Sequence, residues 1–299
     1  MSAPIMVAFD GSQSSQTALT WAADEARLRS RPLHVVCAFL IPVGGVPHTM
    51  VLEWPQIDDA RNANRRMLED ALTRIRHTEP DLEISGEVVD AVAVGATLIE
   101  QSGNAELLVL GSRGRGGFAG LVLGSTSIQV TAHAHCPVVV VRQSTVTDAP
   151  HPGQVVVGVD GSEVSAAAMR FAFEAAAVHN AELIAVHAWD FPSVAMPGAV
   201  MPIAYDRDEF AAREEEVLAE TIAGHQEDHP DVRVVRRLVQ GDTRRILLDE
   251  SAGARMLVVG SRGRGGFTGM LLGSTSQAML HHADAPVVVV RPRTAPEPG

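Results

Sequence analysis

Two stretches of this 299-residue chain have the make-up of an anion cradle. Gly111 to Ser125 reads GSRGRGGFAGLVLGS, and Gly260 to Ser274 reads GSRGRGGFTGMLLGS. The glycines follow G-x2-G-x9-G and then Ser: Gly111, Gly114, Gly124 and Ser125 in one, Gly260, Gly263, Gly273 and Ser274 in the other. Glycine removes side-chain bulk and admits positive φ, so several backbone N–H groups can converge on one anion. A helix predicted to start at Ser125 adds its free first-turn N–H groups and positive dipole end, typically worth about 0.3–1 kcal/mol toward an anion. Phosphate suits both features. A second candidate is Asp10-Gly11-Ser12, which returns as Asp160-Gly161-Ser162. Its short acceptor beside a tight turn suits a ligand hydroxyl or amino group, and equally suits the cap of the next helix.

Other chemistries fit less well. A P-loop needs G-x-x-x-x-G-K-[ST], and no lysine follows either cluster. The dinucleotide fingerprint G-x-G-x-x-G fails at Ala119 and Thr268, and belongs after a first strand. Arg113, Arg115, Arg262 and Arg264 carry guanidinium forks suited to phosphate oxygens, with simple solvation as the competing reading. The run His133 to Pro137, HAHCP, suggests a metal site. However, 149 positions on, His135 and Cys136 become Asp284 and Ala285, which favours a surface helix end. RGRGG as an RNA contact lacks an aromatic series and lies in an acidic chain. No Ser-His-Asp spacing, G-x-S-x-G elbow or helix-borne carboxylate pair offers catalytic machinery, so binding is better supported than turnover.

These residues need elements to hold them, and the chain supplies them twice. PVVVVR at Pro137 to Arg142 returns 149 positions on at Pro286, and VAFDGS at Val7 returns as VGVDGS at Val157. A repeat of this length is a whole duplicated domain, well beyond a solenoid unit. The polar, proline-containing stretch Gln143 to Gln154 reads as the linker, placing the domains at 1–143 and 154–293. In the first repeat, Ile5–Phe9, Leu33–Phe39, Leu82–Val89, Leu107–Leu110 and Val138–Val141 read as strands. Between them, segments beginning at Ser14, Asp58 and Gly95 and the segment Ser125 to His135 read as helices; Ala18, Trp21, Ala22 and Glu25 mark the first by their spacing. The prediction is an α/β fold: two tandem domains, each a five-stranded parallel sheet with helices on both faces, Rossmann-like and suited to nucleotide binding. In such sheets ligands collect beyond the carboxyl ends of the strands, where both candidate motifs fall. The loops Leu40–Gln56 and Asp190–Asp206 are long and rich in Pro, Gly and Met, readable as lids, partner contacts or plain connections.

Composition narrows the setting. A formal net charge of −12 argues against coating nucleic acid or anionic membrane. Two cysteines, Cys37 and Cys136, make no disulfide framework, and the amino-terminal stretch lacks a signal-peptide apolar core, so the expected location is cytoplasmic.

The glycine pattern after a fourth strand, the acidic residue after the first and the terminal PVVVV strand together resemble the ATP-binding branch of the universal stress protein family, as a tandem protein covering nearly the whole chain. The resemblance implies one ATP per domain. It assigns ribose and phosphates to Gly111, Ser112, Arg113, Gly114, Arg115, Gly116, Gly117, Gly124, Ser125 and Thr126, and the adenosine end to Asp10 and the backbone at Ala8. The second set is Gly260, Ser261, Arg262, Gly263, Arg264, Gly265, Gly266, Gly273, Ser274 and Thr275, with Asp160 and Gly158. Backbone around Ala38 and Phe39, or Ala188 and Trp189, would face adenine. Ala8 standing where the second repeat has Gly158 is a departure that narrows backbone approach in the first site. The implied function is a nucleotide-regulated stress-response module with an unassigned protein partner, acting as a homodimer or internal pseudo-dimer through the PVVVV strands. A slow ATPase on the same fold and an interaction scaffold with vestigial pockets stay open, as does Mg²⁺ alongside the phosphates.

Overall fold

The computed structural model describes residues 2–41, 54–115, 123–142, 153–190, 207–264 and 271–292. It divides into two compact units: Met1–Thr145 together with Pro286–Gly299, and Val146–Ala285.

The first unit runs β1 (Ile5–Ala8), α1 (Gln13–Leu28), β2 (Leu33–Leu40), α2 (Trp54–Thr78), β3 (Ile84–Ala91), α3 (Val94–Gln101), β4 (Leu107–Gly111), α4 (Ser125–His133) and β5 (Val138–Val141). The second runs β6 (Val155–Val159), α5 (Glu163–His179), β7 (Leu183–Trp189), α6 (Arg207–Gln226), β8 (Val234–Gln240), α7 (Thr243–Ser251), β9 (Met256–Gly260) and α8 (Ser274–His282). The last strand, β10 (Val287–Val290), lies in the first unit.

Strand order in the first unit is β3-β2-β1-β4-β5-β10, and in the second β8-β7-β6-β9. Strands β1 to β5 pair in parallel. So do β6 to β9. The order turns back between β1 and β4, and again between β6 and β9, which opens a crevice at the carboxyl ends of those strands. The two PVVVV strands meet: β10 runs antiparallel to β5 in the register Val287↔Val140, Val288↔Val139 and Val289↔Val138. The sheet is therefore mostly parallel, with one antiparallel neighbour added to the five expected strands.

Sequence explains most of these elements. Val138 to Val141 are all at most 2% exposed, the continuous apolar run of a strand covered on both faces. Helix α1 buries Leu19 together with Ala18, Ala22, Ala23 and Ala26, whose small side chains let the helix lie close to the sheet. Glu25 belongs to the same buried face, where Arg29 compensates it at 2.5 Å. Several boundaries differ from the sequence reading by one to four residues, the starts of α2 and β3 among them. Helix α2 starts at Trp54, before Asp58, and β3 starts at Ile84, because the Leu82 amide is spent on a turn, donating to the Glu79 carbonyl.

Candidate functional site

The turns that follow β1 and β6 are built alike. Gly11 and Gly161 take φ of 77° and 74°, a conformation reserved largely for glycine, and this turns the chain sharply into α1 and α5. Ser12 and Ser162 cap those helices, their hydroxyls accepting from the Ser15 and Ser165 amides. The caps are the serines, which leaves the aspartates for other partners. Asp10 accepts through Oδ1 from the Ser12 amide at 3.0 Å and through Oδ2 from the Arg115 amide at 2.8 Å. Asp160 repeats this with the Ser162 amide at 3.0 Å and the Arg264 amide at 2.9 Å, and adds the Ser162 hydroxyl at 2.7 Å. Each carboxylate thus ties the first-strand turn to the glycine stretch more than a hundred residues away.

Burial pushes both carboxyls upward, but hydrogen bonds from the adjacent serine and from the arginine amide outweigh it, so both sit below the ordinary carboxylate value. A group depressed in the folded state contributes stability above its unfolded pKa of about 3.9 and loses that contribution as pH falls through the folded value. Asp10→Asn should therefore cost about 1 kcal/mol at neutral pH, the low end for a half-exposed charged hydrogen bond, and progressively less below pH about 4. Urea melts of both proteins at neutral and acid pH check this; a gap that widens on acidification contradicts it.

The glycines of the cradle do different jobs. At Gly111 a β-carbon would lie 2.6 Å from Ser14 Oγ and 2.7 Å from the Ser14 carbonyl carbon on α1, and at Gly260 it would lie 2.8 Å from Val164 Cγ1 on α5. Those two glycines allow helix and strand to touch. Gly114 gives room to the carboxylate itself, since its β-carbon would fall 2.8 Å from Asp10 Oδ2. Gly124 and Gly273 stand at the N-caps of α4 and α8 in extended backbone, with no side-chain bond to the helix end. Their amides donate to the Ser112 and Ser261 carbonyls at 2.8 Å, which brings the start of each helix back to the end of its strand. Below them, Ser127 and Ser276 hydroxyls bond the Gly111 and Gly260 carbonyls at 3.0 and 2.6 Å. The first-turn N–H groups of α4 and α8 are left without a side-chain cap at a fixed spot beside the strand.

In the second unit these parts enclose a cavity of about 560 Å³. Its lining includes the apolar residues Gly158, Val186, Ala188 and Leu247. It also includes Gly260, Arg262, Gly263 and Arg264, and Gly273, Ser274 and Thr275 at the head of α8. Asp160 lies in the same lining. Nearly all the second-repeat residues singled out by sequence therefore converge. Ser261 is an exception: it is 2% exposed and takes part through its carbonyl. In the first unit Ala8, Asp10, Gly111, Ser112, Arg113, Gly114, Arg115, Gly124, Ser125 and Thr126 occupy the matching ends of β1, β4 and α4. Gly116, Gly117, Gly265 and Gly266 lie outside the described residues, as does most of the two Pro- and Gly-rich loops. Thr243 and Leu247 of α7 also line the cavity and carried no motif. Leu247 lies over Gly158, where an added β-carbon would be 3.1 Å from its Cδ1.

Compared with known proteins, the chain matches the universal stress protein family model twice, over residues 1–142 and 153–291. The chain belongs to the universal stress protein family. A universal stress protein of Mycobacterium tuberculosis (strain H37Rv) is 40% identical over 295 residues, covering 96% of both chains. Another from the same strain is 39% identical over 299 residues, again 96% of each. Among solved structures, a universal stress protein from Archaeoglobus fulgidus DSM 4304 aligns with a TM-score of 0.67 at 21% identity, over 98% of this chain and 100% of that one, a likeness of fold.

The two repeats of this universal stress protein differ behind the cradle. In the first unit Arg115 places Nη2 2.8 Å from Met67 Sδ, and Cys37 Sγ lies 3.8 Å from Asn64 Oδ1. In the second unit Arg264 Nη1 lies 3.7 Å from Glu214 Oε2, and the same oxygen is 2.6 Å from His187 Nε2. Cys37 and Cys136 are buried and form no disulfide. Burial, reinforced by the Asp10 charge, pushes the Cys37 thiol up to about 11, so it stays protonated at neutral pH. No group of His, Cys, Asp and Glu among the described residues has the arrangement of a metal site, HAHCP included. No helix among them is long and apolar enough to cross a membrane.

Proposed function

We propose that each repeat of this universal stress protein binds an adenine nucleotide, ATP in the first instance, and that occupancy alters shape or partner choice in a stress response. The observation that carries this reading is the second-unit cavity, lined both by apolar residues and by an uncapped helix start. Its volume lies in the range of small-molecule sites, and its apolar and amide-bearing linings suit the base and the phosphates of a nucleotide. Adenine would lie against Gly158, Val186 and Ala188, and the ribose would meet Asp160. The phosphates would take the amides of Ser274 and Thr275 and the backbone at Gly260 to Gly263, with no ammonium group needed. The first unit would act in the same way through Asp10, Gly111 to Gly114, Ser125 and Thr126.

Binding is favoured over turnover because Asp160, the carboxylate on the cavity wall, already accepts three hydrogen bonds and is a weakened base. Two buried cysteines outside any disulfide suit a reducing cytoplasm. Antiparallel pairing of the two PVVVV strands supports an internal pseudo-dimer of the repeats.

Calorimetric titration of the purified chain with ATP, repeated with EDTA, is expected to show saturable binding at up to two sites and to reveal whether Mg²⁺ contributes. Mass spectrometry of copurified small molecules should find an adenine nucleotide. A chain that shows no association with ATP or ADP would refute the reading, and sustained multiple-turnover phosphate release would replace it with an ATPase.

A further inference from the structure

His187 is 2% exposed, and both of its ring nitrogens meet acceptors. Nδ1 lies 2.8 Å from the Val159 carbonyl oxygen and Nε2 lies 2.6 Å from Glu214 Oε2. A carbonyl only accepts, so Nδ1 carries a hydrogen. The short contact at Nε2 needs a hydrogen as well, and it sits either on the imidazole or on the carboxyl. The geometry of the His187–Glu214 pair therefore has a place for one shared proton besides the hydrogen on Nδ1. Glu214 is also the carboxylate that reaches Arg264 Nη1 at 3.7 Å, and Arg264 lies on the cavity wall.

The first repeat has nothing equivalent. The positions matching His187 and Glu214, each 150 residues earlier, hold Cys37 and Asn64. A thiol near 11 and an amide do not exchange protons around neutrality. The matching arginine, Arg115, rests on the uncharged Met67.

Building on the nucleotide reading above, we propose that Glu214 and His187 form a proton-linked positioning pair for Arg264, so that the second site binds nucleotide phosphates more tightly as pH falls while the first site does not respond. When the pair is protonated, Glu214 is engaged or neutralised by the extra proton, and the Arg264 guanidinium is free to meet phosphate. When the proton leaves, the full carboxylate charge turns to Arg264 and competes with the ligand. The surroundings are consistent with such a role. On α6 the residues one turn from Glu214, Phe210, Ala211, Val217 and Leu218, are uncharged, and the β8 neighbour of His187 is Leu238. Arg213 and Glu215, which flank Glu214 on α6, are exposed, and Arg213 pairs with Glu209; Arg264 is the cation that reaches Glu214, and Asp160, which accepts from the Arg264 amide and is depressed below its ordinary value, stays ionised throughout. Side-chain exposures of 3% for His187 and 15% for Glu214 limit screening by solvent.

The test compares two full-length chains, Gly124→Glu, which leaves the second site, and Gly273→Glu, which leaves the first. ATP affinity is measured by calorimetry at about pH 6 and about pH 8, the range in which an imidazole titrates. Titration of ATP itself is common to both chains and cancels. The second site is expected to weaken by about tenfold more than the first as pH rises, with proton uptake on binding seen in buffers of different ionisation heat. Adding Glu214→Gln to the Gly124→Glu chain should flatten that difference. If this variant does not fold, His187→Cys with Glu214→Asn, which installs the first repeat's own residues, should do the same. Coinciding pH profiles for the two sites, or a difference that survives these substitutions, would overturn the proposal alone. Failure of both chains to bind ATP at either pH would take the nucleotide reading down and this proposal with it.

Discussion

A chain carrying Gly124→Glu and Gly273→Glu together is expected to lose ATP binding by about a hundredfold or more at both sites while melting close to the wild type. Both glycines have ordinary negative φ, −76° and −70°, so a side chain meets no backbone penalty. Space is available too: the nearest atom to an added β-carbon is 3.7 Å away at Gly124 and 3.4 Å away at Gly273. The cost falls on the ligand. A carboxylate at the N-cap would occupy the phosphate position and satisfy the first-turn amides itself. Its repulsion of a phosphate at about 4 Å amounts to about 1–4 kcal/mol across the dielectric range of a surface site, and lost amide contacts add to it. About 2.8 kcal/mol is a hundredfold in affinity. Calorimetry and a thermal melt on the same preparation check both halves, and a well-folded double variant with undiminished ATP affinity would refute the cradle.

Gly111→Ala should show the reverse pattern. Here the new methyl group would lie within 2.8 Å of three atoms of Ser14, two of them backbone, so α1 must shift from β4. Overpacking of this kind typically costs about 1–3 kcal/mol, which in a chain of this size lowers the melting temperature by several degrees. Gly124→Ala, one methyl added in the same motif, should leave the melting temperature nearly unchanged. Equal stability losses for the two alanine variants would show that the glycines do not divide into packing and ligand-facing roles. The comparison matters because both residues belong to one G-x2-G-x9-G pattern, and letters alone gave them one role.

The sequence determined what is set by neighbours along the chain. Alternation of apolar runs with 3.6-residue stripes marked strands and helices to within a few residues, and the 149-residue repeat showed the duplication. Gly11 and Gly161 marked the turns, and Asp-Gly-Ser offered a helix cap as one of its two readings, because capping and positive φ depend on residues only a few positions apart; the structure gives the caps to Ser12 and Ser162. The glycine stretches likewise pointed to phosphate through local rules of backbone freedom and helix starts.

The tertiary structure alone decided how distant segments use those parts. That Asp10 would spend its carboxylate on the Arg115 amide, 105 residues away, follows from β1 and β4 being neighbours in the sheet. Leu247 covers Gly158 because α7 packs on β6, and nothing in its own segment says so. The pairing of His187 with Glu214 and Arg264 joins a strand, a helix and a loop that only the strand order brings together. Local patterns fix the pieces because their energies are settled within a turn or a pleat; contacts between pieces depend on which strands lie side by side, and that is a property of the whole folded sheet.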